Sequence, residues 1–194
     1  MAAKKPTLDE RLAQCDPDAP YSGEVWPDVT PIGREFGAPS PRDPWKPRYF
    51  LDTEFTSFET CQLISVAIVG EDGNEFYGEV TDFEPPLCSD FVRAVVLPQL
   101  GQMPGRSMSI AQLRSELLAW LHRVPLKLKP VLCFDYLGDL QLVEHLIGGP
   151  LPKSWKTENV NSRLDASRLA AYFAEHGHEH HALHDARANC RAFN

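Results

Sequence analysis

Tyr49-Phe50-Leu51-Asp52-Thr53-Glu54-Phe55 sets two carboxylates inside an otherwise apolar run. Side chains two apart on a strand share a face, so Asp52 and Glu54 stand side by side while Leu51, Thr53 and Phe55 turn the other way. Like charges this close repel, and a divalent cation between them removes the repulsion and supplies a charge that acts on phosphate. The alternative for the same pattern is an edge strand with a solvated acidic face.

Composition narrows the setting. The chain has 194 residues, of which 43% are hydrophobic, enough for one domain with a core plus an appendage. A formal charge of -8 disfavours a large basic surface for gripping nucleic acid, but leaves room for a metal-bridged enzyme. The five cysteines, at positions 15, 61, 88, 133 and 190, form no CxxC pair, which points to thiols in a reducing compartment. No apolar h-region follows Met1–Lys5, and no later run approaches a membrane span, so the expectation is a cytoplasmic protein without membrane attachment.

Residues 1–47 contain nine of the seventeen prolines and little hydrophobic periodicity. Such a segment cannot build a core and is expected to be an extended or disordered arm, with one short helix at Leu8–Gln14. Leu8 to Pro17 and Pro31-Ile32-Gly33-Arg34-Glu35-Phe36 resemble the toxin-wrapping tail of MazE-type antitoxins. That resemblance implies a toxin partner for residues 8–36; the other reading is a linker or spacer.

From Arg48 onward the pattern is regular. Gln62–Val69 and Glu75–Val80 read as strands joined by Glu71-Asp72-Gly73-Asn74, where Asp-Gly signals a hairpin. A helix is predicted at Ser89–Val96, stopped by Pro98. A second starts at Ser109-x-x-Gln112, a capping box, carries Leu113, Leu117 and Leu121 at helical spacing, and stops at Pro125. Val131–Phe134 reads as a buried strand and Asp139–Ile147 as a helix. Asp165 caps a further helix closed at Gly177, and the last helix carries Leu183, Ala186, Cys190 and Phe193. Hairpin strands followed by helices with an interposed strand predict an α/β sandwich around a mixed sheet.

Three polar features remain. Asp139, at a helix start after an apolar strand, is placed either to cap the helix or to return a carboxylate towards Asp52, and Asp135 at the strand end competes for that role. The run His176-Gly177-His178-Glu179-His180-His181-Ala182-Leu183-His184-Asp185 reads as a solvated loop and helix start or as a zinc site, although no partner elsewhere has zinc-finger spacing.

Taken in order, Asp52-x-Glu54, Asp139 and His180-x-x-x-x-Asp185 followed by Ala-Arg-Ala-Asn resemble the DEDDh 3′-5′ exonucleases of the ribonuclease H-like superfamily. Tyr-Phe-Leu-Asp-Thr-Glu-Phe and His-His-Ala-Leu-His-Asp-Ala-Arg-Ala-Asn look most like the RNase AS and RNase T-like exoribonucleases, over residues 48–194. The family's spacing selects His180 over His181 and Asp139 over Asp135. The resemblance implies a five-stranded mixed sheet flanked by helices, the fifth strand resting on likeness alone. It also implies a preference for the 3′ end of single-stranded RNA, adenylate-rich for this group, release of nucleoside 5′-monophosphates, and often a homodimer.

Oxygen ligands of this kind suit two Mg²⁺ or Mn²⁺ ions, held by Asp52, Glu54, Asp139 and Asp185 about 3.5–4 Å apart. His180, a side chain that titrates near neutrality, would take a proton from the attacking water. The backbone around Thr53 and the ring of Phe55 are candidate contacts for the terminal nucleotide, with core packing the other reading for Phe55. The competing functions are an RNA- or toxin-binding module on a nuclease-like fold and a 3′-5′ DNA exonuclease.

Overall fold

The computed structural model describes residues 46–124 and 128–194. The Leu8–Gln14 helix, nearly all of the 1–47 arm, its toxin-binding segment and the helix stop at Pro125 lie outside the described residues.

Among the described residues, six strands form one mixed sheet: β1 (Arg48–Phe55), β2 (Leu63–Gly70), β3 (Glu75–Val80), β4 (Ser107–Met108), β5 (Val131–Phe134) and β6 (Lys156–Asn159), in the order β4-β3-β2-β1-β5-β6. The first three are antiparallel, as their short connections require, while β4, β5 and β6 join in parallel. The sheet therefore has six strands where five were expected. The extra one, β4, is only two residues long and lies against the end of β3, too short to carry any periodic signal.

Among the described residues there are four α-helices, α1 (Ile110–Arg123), α2 (Leu137–Ile147), α3 (Ala166–His176) and α4 (Ala182–Ala192); α1, α2 and α4 lie against the sheet and α3 packs on α4. Helix α1 starts at the expected capping box, with Ser109 Oγ accepting from the Gln112 amide and the Gln112 side chain accepting from the Ser109 amide. It buries Leu113, Leu117 and Leu121 against Tyr49, Leu51, Val66 and Ile68, in a core that α2 extends with Leu140 and Val143. Helix α4 covers the opposite face, with Ala182, Leu183 and Ala186 against Ala67, Val69 and Tyr77. Helix α3 is capped by Asp165, which accepts from the Ser167 and Arg168 amides, and ends at Gly177 with φ 65°.

The helix expected at Ser89–Val96 has a different form. It opens at Asp90, widens into a π-helix over Val92–Val96 and tightens into a 3₁₀ turn at Leu97–Gln99. Pro98 has no N–H to continue the ladder, which accounts for the change of pitch.

Candidate active site

Strand β1 carries the site because its neighbours end unequally. β5 pairs with it only as far as Phe50↔Cys133, so the last residues of β1 have no strand on that side, while β2 continues along the other. Asp139 fills the open edge from the first turn of α2. It is 3% exposed and accepts a 2.6 Å hydrogen bond from Thr53 Oγ1. The capping reading of Asp139 is thus not the observed one: Tyr136 occupies the N-cap, and the carboxylate turns back to the sheet.

Two triads of carboxylates share Asp52. Ligand oxygens of Asp52, Asp135 and Asp139 all lie within 4.8 Å of one another, as do those of Asp52, Glu54 and Asp185. Residues separated by up to 133 positions in sequence thereby meet at one end of β1, and Asp135, the competitor of Asp139, joins them. The histidines near the end of α3 form no third such group among the described residues.

The electrostatics of this arrangement are adverse without a cation. Burial, then the charges of Asp185, Asp139, Glu54 and Asp135, push Asp52 well above the usual carboxylate range. Burial and the charge of Asp139 raise Glu54 to about 7. Burial raises Asp139 to about 7 against the opposing hydrogen bonds from Thr53, and burial and Glu54 raise Asp185 to about 8. Asp185 Oδ1 is buried without a hydrogen-bond partner. An orphaned oxygen within an all-oxygen donor set that resists ionising fits a hard divalent cation such as Mg²⁺ or Mn²⁺.

The two candidate histidines have different surroundings. His181 is 2% exposed; its ring stacks on Tyr77 at 5.1 Å and its Nε2 lies 3.1 Å from the Tyr77 hydroxyl. Tyr77 in turn donates to Glu79, so the His181 ring is fixed within a buried network. His180 is half-buried, with its ring edge-on to Phe91 at 4.9 Å, and its backbone N–H bonds the Asp185 carboxylate.

Beside the carboxylates lies an open aromatic group. Phe55 stacks with Tyr136 at 6.4 Å and meets Phe58 edge-on at 5.2 Å; Phe58 is 78% and Tyr136 50% exposed. A cavity of about 310 Å³ lies between Phe55, Tyr136, Gly138 and Gln141, and a larger one of about 710 Å³ between α1 and α2 shares its Cys61, Leu142 and His145 walls. Phe55 is therefore not core, whereas the Thr53 side chain is spent on Asp139. Sequence reasoning missed Phe58 and Tyr136. The available signal was their placement, three residues past the strand end at Phe55 and one residue before Leu137, where loops leave large apolar rings exposed.

The mixed sheet flanked by helices is the fold of solved 3′-exonucleases, in keeping with the ribonuclease H-like architecture that the sequence resemblance implied. The chain superposes on a 3′-exonuclease solved in recognition of the histone mRNA stem-loop with a TM-score of 0.53 at 16% identity, over 76% of this chain and 62% of that one. A full-length 3′-exonuclease gives 0.51 at 16% identity, over 76% and 80%, and Exonuclease I of E. coli with an oligonucleotide gives 0.50 at 14% identity, over 75% and 39%.

In sequence, 54 residues are 48% identical to a protein named 3′-5′ exoribonuclease in two strains of Mycobacterium tuberculosis. The match spans 27% of this chain and about a third (32%) of the length of that relative. No protein-family model matches the chain.

Proposed function

We propose that the protein is a divalent-metal-dependent 3′-5′ exoribonuclease that removes nucleoside 5′-monophosphates from single-stranded RNA. The convergence of Asp52, Glu54, Asp139 and Asp185, with Asp135, into two triads around the shared Asp52 carboxylate carries this reading. Bound Mg²⁺ or Mn²⁺ would offset the clustered negative charge, acidify water and stabilise the charge that develops on the leaving 3′-oxygen.

The chain's own residues supply the rest. Asp52 is shared by both triads, Glu54 and Asp185 complete one, and Asp135 and Asp139 the other. Thr53 holds Asp139 in place through its hydroxyl. His180 takes the proton of the attacking water, being the histidine whose ring is not stacked within the Tyr77 network. Phe55, Phe58 and Tyr136 present π-faces for the terminal bases, and the cavity beside them admits an unpaired nucleotide. The relative named as an exoribonuclease favours RNA over DNA as the substrate.

The test is turnover of 5′-labelled single-stranded RNA and DNA oligonucleotides with Mg²⁺ or Mn²⁺. Stepwise shortening of RNA from the 3′ end with release of 5′-monophosphates is expected. Faster degradation of the DNA would reverse the substrate assignment, and no metal-dependent shortening of either would end the enzymatic one. Asp52→Asn is expected to lower kcat by at least about a thousandfold while leaving the circular dichroism spectrum unchanged, because it removes a ligand common to both triads. Wild-type turnover in that variant would show that the activity belongs to a contaminant.

A further inference from the structure

We infer that Gln99 is the positioning residue for His180, acting through the peptide groups of the loop that carries it. The inference rests on the reading of His180 as the proton acceptor. Gln99 stands on the 3₁₀ turn that follows the π-helix, between Glu54 and Asp135 in sequence, and nothing in its local sequence marks it.

The geometry is specific. Gln99 Nε2 donates to the carbonyl of Glu179 at 2.9 Å and lies 3.2 Å from that of His180, besides bonding its own helix at Val95 O at 3.1 Å. Its Oε1 lies 3.3 Å from His178 Nδ1. One side-chain amide thus spans three consecutive residues of the loop His178–His180. With two hydrogens and three carbonyls in reach, one of its bonds is shared, which ties the loop carbonyls to a common point.

That loop needs an external hold. His178 has φ 61° and His180 φ 64°, the left-handed region that side chains other than glycine rarely occupy. Such backbone persists where the surroundings over-determine it. On one side of His180 its N–H bonds Asp185, and the next residue, His181, is fixed by Tyr77; on the other side Gln99 grips the carbonyls. The His180 ring rests against Phe91, from the start of the same helical segment.

The segment bearing Gln99 is itself anchored at both ends. The Ser89 amide donates to Thr56 O at 2.9 Å, just beyond β1, and the Gly101 amide donates to both oxygens of buried Glu79 at 2.9 and 3.1 Å. Between them, Val92 and Val96 pack on Ile64. The π-helix and 3₁₀ turn therefore form a fixed bracket from the sheet to the His180 loop, and Gln99 is its contact point.

The experiment is a coupling measurement on the full chain. Gln99→Met keeps the side-chain length and removes both polar ends; Gln99→Glu keeps the shape and puts an acceptor against the carbonyls. Both are expected to lower kcat for RNA by about ten- to a hundredfold, the scale of a small misplacement of a reacting group, with KM, Mn²⁺ affinity and melting temperature close to wild type. In a His180→Ala background, Gln99→Met is expected to change kcat by less than about twofold. Hydrogen exchange of the 178–181 amides should be faster in Gln99→Met. An equal loss in both backgrounds, or a loss confined to KM or to thermal stability, would overturn the positioning role. Wild-type turnover by His180→Ala would instead remove the base assignment itself, whereas an impaired His180→Ala beside a fully active Gln99→Met would remove only the role of Gln99.

Discussion

At the scale of single residues, neighbours in sequence have unlike tasks. His180 and His181 are consecutive imidazoles, and composition treats them alike, but the tertiary surroundings separate them. Burial lowers the His181 pKa and keeps its ring neutral, stacked on Tyr77 and bonded to a hydroxyl that already donates to Glu79. Replacing His181 by Ala is expected to cost about 1–3 kcal/mol of stability, because it opens a gap beside Tyr77 and removes one of the hydrogen bonds of its hydroxyl. Denaturant unfolding measures this; an unchanged midpoint would show that the stack contributes nothing. The spacing of five residues to Asp185 selected His180 from the sequence, whereas the contact that holds the His181 ring comes from β3, 104 positions away.

At the scale of elements, those with a strong repeating pattern were readable and those defined by their neighbours were not. The capping box and leucine spacing of α1, the caps of α3 and the alternation in β1 are local signals, and each element begins within a few residues of its expected place. β6, Lys-Thr-Glu-Asn, is polar and mostly exposed, and becomes a strand only because β5 offers a parallel edge from Val131↔Lys156 to Phe134↔Asn159. Helix α1 packs its leucine face into the core that holds Tyr49 and Leu51 of β1. Leu117, fully buried against the sheet, should cost about 2–5 kcal/mol when changed to Ala, and Ser109→Ala about 1 kcal/mol through loss of the cap. Thermal melts of the two variants would check the order; a larger loss at Ser109 would mean that the cap, not the leucine face, fixes this helix.

At the scale of the whole molecule, the acidic cluster makes stability depend on pH and on cations in a calculable direction. Asp139 and Glu54 near 7 and Asp185 near 8 hold protons in the folded chain that the unfolded chain releases near 4. Between those values the native state binds more protons, so metal-free protein should lose stability as pH rises from about 4 to about 8. Added Mg²⁺ or Mn²⁺ should reverse the loss at pH 8, since it binds the deprotonated site, and Asp52→Asn should flatten the metal-free slope. Melting temperatures across this range, with and without metal, test it; a flat metal-free curve would contradict the electrostatic reading. By itself the sequence determined the elements with a strong repeat, the two carboxylates on one face of β1, and which distant acids and histidines were candidates, because periodicity, caps and spacing are written locally. Only the tertiary structure decided that Asp135 joins Asp139, that Thr53 serves Asp139, that an aromatic group opens beside the acids, and that Gln99 reaches the His180 loop. Those relations depend on where β5 stops along β1 and how the segment after β3 folds back, and sheet register and packing are set by contacts across the whole chain.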